Sequence, residues 1–242
     1  MTSTIAAIPA RWGSTRLPGK PLRRLAGKPI VQHVYERVVR VERLSRVVVL
    51  TDDERVRRAV SEFGGRCQMT PADCASGTDR IAWAAEEWTE DVIINVQGDE
   101  PLVDPVSVER LAGHLESHEE EEMATLATPR GTDVLHDPDA VKVVLDREGY
   151  ALYFSRAPIP FPRHPGEAPV LLHLGLYGYR RGTLLRLADR SSTPLERSES
   201  LEQLRALEHG VRIRVLEVED SASGIDTEED LRRWNERLSG GG

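Results

Sequence analysis

The sequence predicts an α/β protein with a mostly parallel β-sheet covered by helices. The runs Arg46–Thr51 (RVVVLT) and Asp91–Gln97 (DVIINVQ) are apolar almost throughout, as expected for strands that are buried on both faces. Segments with helical spacing separate such runs, including Asp53–Phe63, which should end at Gly64 and Gly65. This alternation predicts a doubly wound domain, and such domains bind ligands beyond the carboxyl ends of their strands.

The other elements of the first half follow the same alternation. A helix should begin at Pro29, which suits a first helical turn, because Ile30, Val34 and Val38 keep helical spacing and the pattern continues to about Arg43. Short apolar runs predict the remaining strands, and amphipathic stretches predict the remaining helices. We therefore predict strands at Thr4–Ile8, Arg66–Thr70 and Met123–Ala127, and helices at Thr78–Trp88 and about Pro105–Ser117.

The second half of the chain changes character. Val141–Asp146 and Tyr150–Ser155 flank a turn and resemble a β-hairpin, and a proline-rich loop follows at Pro158–Pro169. We infer a smaller β-rich lobe, at approximately 141–190, inserted in a single domain that spans 1–242. The later elements predicted are a strand at Leu172–Arg180, one helix at Leu195–Glu208, a strand at Val211–Val218 and a last helix from Asp226 or Thr227.

Composition limits the classes of function. A chain of 242 residues that is 39% hydrophobic and 30% charged can bury a substantial core. Its formal net charge of -8 argues against a general affinity for nucleic acid or an anionic membrane. We find no apolar run of the ~20 residues that span a bilayer and no signal-peptide pattern. Cys67 and Cys74 are therefore interpreted as reduced thiols in a cytoplasmic protein.

The stretch PARWGSTRLPGKPL, from Pro9 to Leu22, concentrates cations in a segment that cannot form a helix. Arg11, Arg16 and Lys20 lie among two glycines and three prolines, directly after the first predicted strand. At that edge of the sheet they could meet phosphate oxygens with charge-assisted hydrogen bonds, or they could be solvated charges of a surface loop. The stretch is not a Walker A loop, because Pro21 stands where that motif needs serine or threonine.

Two aspartates are candidate metal ligands. Asp99 follows the strand Asp91–Gln97 within QGDEP, where a carboxylate suits Mg²⁺ but could also serve the helix that begins near Pro105. Asp226, within SGIDT, could join Asp99 at a metal beside a triphosphate or could cap the last helix. Cations for phosphates and carboxylates for Mg²⁺ point to phosphoryl or nucleotidyl transfer, which proceeds by positioning and charge neutralisation.

Several segments, in order and without large gaps from about residue 4 to 235, closely resemble the 3-deoxy-manno-octulosonate (Kdo) cytidylyltransferases. The resemblance implies a nucleotidyltransferase-type, Rossmann-like fold with a dimerisation lobe. It also implies transfer of CMP from CTP to Kdo with Mg²⁺, for lipopolysaccharide synthesis by a cytoplasmic homodimer. The segments that carry it are PARWGSTRLPGKPL, SGTDR (Ser76–Arg80), NVQGDEP (Asn95–Pro101), VKVVLD with YALYFSRAPIPF (Val141–Phe161), HLGLYGYR (His173–Arg180), LEQLRALEHG (Leu201–Gly210) and SGIDT (Ser223–Thr227).

The resemblance also implies roles for individual residues, with Arg11, Lys20 and Asp99 as the catalytic ones and Asp99 with Asp226 as the metal ligands. The implied CTP contacts are Ala7, Pro9, Ala10, Arg11, Ser14, Lys20, Ser76, Gly77, Thr78, Arg80 and Gln97, and the implied acceptor contacts are Gln97, Arg156, His173, Tyr177, Glu202 and Gln203. From the residues alone, His173 could equally be a core histidine. Glu202 and Gln203 lie inside a predicted helix and could face solvent.

Two alternative functions are open. One keeps the cytidylyl transfer and changes the acceptor, and the other has no catalytic activity. The acceptor could be an 8-amino sugar acid or phosphonoformate, although the polar side chains at His173, Tyr177 and Glu202 favour a polyhydroxylated molecule. A fold kept only as a regulatory module would be expected to lose the loop cations or the aspartates, which this chain retains.

Overall fold

The computed structural model describes residues 2–13, 17–164, 169–219, 224–225 and 227–239. Within them the strands are β1 Thr4–Pro9, β2 Arg24–Leu25, β3 Lys28–Pro29, β4 Arg46–Thr51, β5 Cys67–Met69, β6 Val92–Asn95, β7 Met123–Arg130, β8 Lys142–Leu145, β9 Ala151–Ser155, β10 Val170–Arg180 and β11 Ile213–Glu217. The helices are α1 Ile30–Val38, α2 Glu54–Glu62, α3 Gly77–Ala85, α4 Pro105–Ser117, α5 Arg181–Ala188, α6 Pro194–Glu199, α7 Gln203–Glu208 and α8 Glu228–Ser239. None of the described helices is both long and apolar enough to cross a membrane.

One mixed sheet organises the fold, in the order β11-β7-β10-β6-β1-β4-β5. The strands β6, β1, β4 and β5 are parallel to one another, and β11 is parallel to β7. Only β10 runs antiparallel to its neighbours along this path, since it pairs antiparallel with both β6 and β7. The mostly parallel sheet flanked by helices is therefore confirmed.

Helices cover both faces of the sheet, which explains why most residues of β1, β4 and β6 are apolar. Along β1, Ile5 and Ala7 belong to the apolar cluster on one face, and Ala6 and Ile8 belong to the cluster on the other. The first cluster receives apolar side chains of α3 and α5, and the second receives those of α1, α2 and α4. A strand buried in this way leaves its polar residues at its ends, where a site can form.

Local capping sets several helix boundaries close to those predicted. The carboxylate of Asp53 accepts a hydrogen bond from the backbone N–H of Arg55 at 2.8 Å, and α2 begins at the next residue, Glu54. The carboxylate of Asp104 likewise accepts from Val106 N–H at 3.1 Å, and Pro105 occupies the first position of α4.

The first helix ends earlier than predicted. It stops at Val38 instead of Arg43, and Pro29 precedes it as the cap and as the last residue of β3. The chain turns after α1 so that Val41 enters the core and the Arg43 guanidinium reaches two glutamates of α4 at 2.9 and 2.7 Å. These contacts join segments more than sixty residues apart, so helical spacing alone overestimates the helix.

The single helix predicted at Leu195–Glu208 is wrong. The structure has α6 and α7 instead, separated at Ser200, whose backbone is left-handed with φ of 54°. The break lets Leu201 enter the core and makes Glu202 the cap of α7, instead of a residue inside a helix. The Arg205 guanidinium holds the two short helices together through Glu196, with Nη2 2.6 Å from Oε1.

The β-rich segment is continuous with the central sheet. The hairpin β8–β9 is antiparallel, as predicted, and β8 also pairs with β10, so that Leu171 lies opposite Val143. The described part of the proline-rich segment, 158–164 and 169, contains no helix or strand. The longest strand within 141–190 therefore belongs to the central sheet, and it brings the hairpin to the edge where β1 and β6 end.

Candidate active site

Two loops meet closely at the carboxyl edge of the sheet. Gly98 follows β6 and packs on the end of β1, where a Cβ atom at Gly98 would lie 2.5 Å from the Pro9 carbonyl oxygen. Gly77, at the start of α3, approaches the same proline, and its Cβ would lie 3.2 Å from Pro9 Cγ. Only glycine permits the contact at Gly98, so the sequence there dictates that the two loops converge.

A first pocket of about 390 Å³ lies where these segments converge. Arg11 is exposed at this pocket, and Lys20 is buried in its wall. Ala7 lies behind the pocket, fully buried in β1, and Ser14 is outside the described residues. Of the residues predicted to contact CTP, the first pocket brings together Pro9, Ala10, Arg11, Lys20, Ser76, Gly77, Arg80 and Gln97.

Lys20 and Asp99, predicted separately for phosphate and for metal, are in direct contact. The Lys20 ammonium lies 2.5 Å from Asp99 Oδ2, and the Asp99 side chain keeps 39% of its surface exposed. Gly19 sets the lysine's position with a left-handed backbone, and a Cβ there would lie 2.8 Å from the Trp12 ring. The contact places one cation and one carboxylate, both close to ligand-accessible surface, at the same end of the first pocket.

The predicted metal site is described in part. Asp226 itself lies outside the described residues, but the backbone N–H of the preceding residue, Ile225, donates to the Asp99 carbonyl oxygen at 3.0 Å. Among the residues that the structure describes, no group of three or more His, Cys, Asp or Glu side chains could hold a metal ion. Mg²⁺ commonly takes one or two carboxylates and completes its shell with phosphates and waters, so Asp99 fits an ion delivered with a nucleotide.

Arg80 lines the first pocket and connects two of the segments that form it. Its side chain is almost fully buried, and its guanidinium donates to Asp52 Oδ2 at 3.2 Å and to the hydroxyl of Thr70. Asp52 also accepts from the backbone N–H of Trp12 at 3.4 Å. Arg80 thus ties the start of α3 to the loop after β4, while it also lines the pocket as predicted.

A second pocket of about 420 Å³ adjoins the first. Gly77, Gln97 and Glu202 line both pockets, so a group bound in one would touch the wall of the other. Thr78, predicted for the nucleotide, faces this second pocket. All six residues predicted for the acceptor line it, namely Gln97, Arg156, His173, Tyr177, Glu202 and Gln203.

A row of aromatic rings packs along the second pocket. The centroids of Phe154 and His173 are 5.0 Å apart, those of His173 and Tyr177 are 5.2 Å apart, and those of Tyr177 and Tyr179 are 5.9 Å apart. Burial lowers the pKa of His173 to about 3, so its ring is neutral near pH 7. Burial also raises the pKa of both tyrosines well above the ordinary value. The row therefore offers neutral polar groups to a ligand.

A β-bulge in β10 helps to position a polar side chain of the second pocket. The register against β7 shifts between Leu174 and Tyr177, and Gly175 lies against the loop after β6, where its Cβ atom would be 3.5 Å from Gln97 Cγ. The side-chain amide of Gln97 donates to the Gly175 carbonyl oxygen at 3.1 Å, and this bond holds Gln97 at the junction of the two pockets. Neither a bulge nor this contact is visible in the alternation of HLGLYGYR.

Glu202 lines both pockets, and the pKa of its carboxyl group is raised. The surrounding protein raises the pKa of its carboxyl group by desolvation, and the negative charge of Asp79 adds to this effect. Hydrogen bonds with the hydroxyls of Thr78 and Ser76 act in the opposite direction. Although the Glu202 side chain is accessible through the pockets, the protein around it makes its charged form more costly than in water.

Lys142 is a residue that the sequence analysis missed. Its side chain is fully buried, and its ammonium donates to the carbonyl oxygens of Asp137 at 2.8 Å, Ala140 at 2.6 Å and Arg156 at 2.6 Å. The Arg156 guanidinium in turn bonds to the carbonyl oxygens of Glu199 and Pro138, each at 2.9 Å. Lys142 therefore organises one wall of the second pocket. The available signal was a single lysine inside the apolar run VKVVLD.

Comparisons with known proteins identify the class of protein to which this fold and its paired pockets belong. The family model described as cytidylyltransferase matches residues 5–213, and the chain belongs to this family. The 3-deoxy-manno-octulosonate cytidylyltransferase of Syntrophotalea carbinolica is 49% identical over 98% of this chain and 99% of its own length. The 8-amino-3,8-dideoxy-manno-octulosonate cytidylyltransferase of Shewanella amazonensis is also 49% identical, over 96% of both chains.

A solved structure agrees with these sequence matches. The structure of a CMP:2-keto-3-deoxy-manno-octonic acid synthetase complexed with CTP superposes with a TM-score of 0.95, at 42% identity over 99% of both chains. The resemblance inferred from the sequence is thereby confirmed, as is the nucleotidyltransferase-type fold. The ligand contacts of individual residues remain predictions.

Proposed function

We propose that this protein transfers CMP from CTP to the anomeric hydroxyl of Kdo and releases diphosphate. The observation that carries the proposal is the junction of the two pockets at Gln97, Gly77 and Glu202. The first pocket has the cations Arg11 and Lys20 for a triphosphate, and the second has neutral polar groups for a sugar acid. A reaction that joins a nucleotide to a sugar acid needs two such sites in contact.

In the proposed reaction the anomeric oxygen forms a bond to the α-phosphorus while the bond to the β-phosphate oxygen breaks. The hydroxyl proton is released to solvent. Lys20 and Arg11 would bind the phosphate oxygens and the departing diphosphate through charge-assisted hydrogen bonds. Asp99 and Asp226 would hold Mg²⁺, which supplies charge neutralisation and lowers the pKa of the nucleophilic hydroxyl. Gly77 and Gln97 would orient the two substrates at the junction.

Arg156 is the candidate partner for the acceptor's carboxylate, because it is the one Lys or Arg among the described residues that line the second pocket. His173 and Tyr177 are neutral there and suit hydroxyl groups. A second candidate acceptor, an 8-amino sugar acid, is favoured by the carboxylates of Asp139 and Glu202, which line the same pocket and could pair with an ammonium group. Phosphonoformate has no hydroxyl groups to use this lining.

We further propose that the protein acts as a cytoplasmic homodimer in lipopolysaccharide synthesis, with the segment 141–190 as its dimerisation lobe. Two large apolar side chains in this segment are exposed, Leu152 at 61% and Phe161 at 82% of their surface. Burial of both side chains against a second copy would remove apolar surface from water, which favours association.

The test is an assay of pyrophosphate release by the purified protein with CTP and Mg²⁺. Kdo, 8-amino-Kdo and phosphonoformate would be compared at equal concentrations. We expect the highest kcat/KM with Kdo. Pyrophosphate release with 8-amino-Kdo but not with Kdo would show that the 8-amino sugar acid is the acceptor. Absence of release with every acid would contradict an enzymatic role and favour a regulatory one.

A further inference from the structure

The last residue of β6 lines the second pocket and carries a buried polar atom that has no partner among the described residues. Asn95 follows the apolar residues Val92–Ile94 of the strand, and 2% of its surface is exposed. It lines the second pocket, directly opposite Tyr177 on the neighbouring strand. Among the described residues, Asn95 Oδ1 is buried and has no hydrogen-bond partner.

Another residue that lines the same pocket also carries an unpaired atom. Gln203, at the start of α7, is 6% exposed, and its Nε2 is likewise buried without a partner among the residues that the structure describes. The two orphans are complementary in kind, because Oδ1 can only accept a hydrogen bond and Nε2 can only donate one. A buried polar atom without a partner destabilises the folded state, so two of them in one pocket are expected where a ligand satisfies them.

We infer that Asn95 is a specificity-determining residue of the second pocket, where its Oδ1 accepts a hydrogen bond from a hydroxyl group of the sugar acid. This inference rests on the proposed function. A hydroxyl donor is the group that matches, since a carboxylate has no proton to donate. The bond would add nothing for an acceptor that has no hydroxyl groups, so Asn95 would discriminate against small acids such as phosphonoformate.

The choice of residue at position 95 also follows from the fold. An apolar side chain there would continue the buried run of β6 and pack against Tyr177 without an unpaired atom. Replacement of the amide by an apolar group of similar size should therefore leave the free protein as stable or more stable. A gain in stability together with a loss of acceptor binding distinguishes a ligand contact from a structural role.

The experiment compares Asn95→Leu with the wild type in steady-state assays and thermal unfolding. We expect KM for Kdo to rise about tenfold, KM for CTP to stay within twofold, and the unfolding midpoint without ligands to be unchanged or higher. Asn95→Ala serves as a second variant if the leucine variant does not fold. Thr183→Val is the control. That threonine is buried and bonds to Glu122 at 3.1 Å, so its replacement should lower the midpoint and leave both KM values unchanged.

Acceptor analogues that each lack one hydroxyl group identify the contact. For the analogue without the bonded hydroxyl, kcat/KM of the wild type should be about tenfold lower than for Kdo. The kcat/KM of Asn95→Leu should differ little between the two acceptors. An unchanged KM for Kdo in an active, folded Asn95 variant would overturn this inference alone. Absence of release by the wild type with every sugar acid would overturn the proposed function and this inference with it.

Discussion

The Lys20 ammonium lies 2.5 Å from Asp99 Oδ2, across 79 residues of sequence. The pair joins the loop after β1 to the loop after β6, so it holds the end of the first pocket in shape. Both groups are predicted to meet a magnesium–triphosphate complex. The ion pair would place the lysine and the carboxylate for their ligands before the ligands arrive, which limits the reorganisation that binding requires.

We expect Lys20→Ala to lower turnover by at least about 100-fold, because the departing diphosphate would lose a fixed positive charge. Circular dichroism should show that the variant remains folded. Lys28→Ala is the matched control, since Lys28 forms an exposed pair with Glu36 at 2.7 Å and lines neither pocket. Full activity of the Lys20 variant would contradict phosphate binding by the loop after β1 and would favour its interpretation as a surface loop with solvated charges.

We expect Asp99→Asn to lower turnover by at least about 100-fold and to raise the Mg²⁺ concentration needed for half-maximal activity. The substitution keeps the shape of the side chain but removes the charge that attracts a divalent cation. The measurement is a titration of pyrophosphate release with Mg²⁺ at saturating CTP. Turnover within a few-fold of the wild type at saturating Mg²⁺ would contradict the metal assignment.

We expect Lys142→Met to weaken binding of the acceptor more than binding of CTP. Its ammonium holds three carbonyl oxygens that shape the wall around Arg156, and their loss of a donor should cost about 3 kcal/mol of unfolding free energy. KM for Kdo should rise about tenfold. Arg147→Met, at the exposed turn of the same hairpin, should change stability by less than about 0.5 kcal/mol. Equal increases in both KM values would argue against a selective role.

We expect His173 to make the protein less stable in acid. Because its folded-state pKa of about 3 lies below the unfolded value near 6.5, the unfolded state binds the proton first as the pH falls. The unfolding free energy should therefore decrease between pH 6.5 and pH 3, by up to about 1.4 kcal/mol per pH unit from this residue. His173→Gln should reduce that slope in urea titrations. A slope identical to that of the wild type would show that the ring titrates normally.

Local signals in the sequence were strong where capping and strand periodicity act within a few residues. The helix Pro105–Ser117 and the strand Arg46–Thr51 occur with the predicted bounds, and all four strand ends of the hairpin β8–β9 lie within one residue of the prediction. The opening loop also follows β1 at the edge where the first pocket forms. Resemblance to a family added the acceptor residues, and all of them line the second pocket.

By itself, the sequence determined most of the strands and helices, the loop cations and the family, because these depend on neighbouring residues or on matching motifs. The tertiary structure alone decided that β10 lies between β6 and β7, that the chain breaks at Ser200, and that Lys20 contacts Asp99. It also decided that Lys142 binds the backbone of Arg156 and that Asn95 lines the second pocket. Each of these features depends on burial or hydrogen bonding between segments distant in the chain, and no local periodicity encodes such contacts.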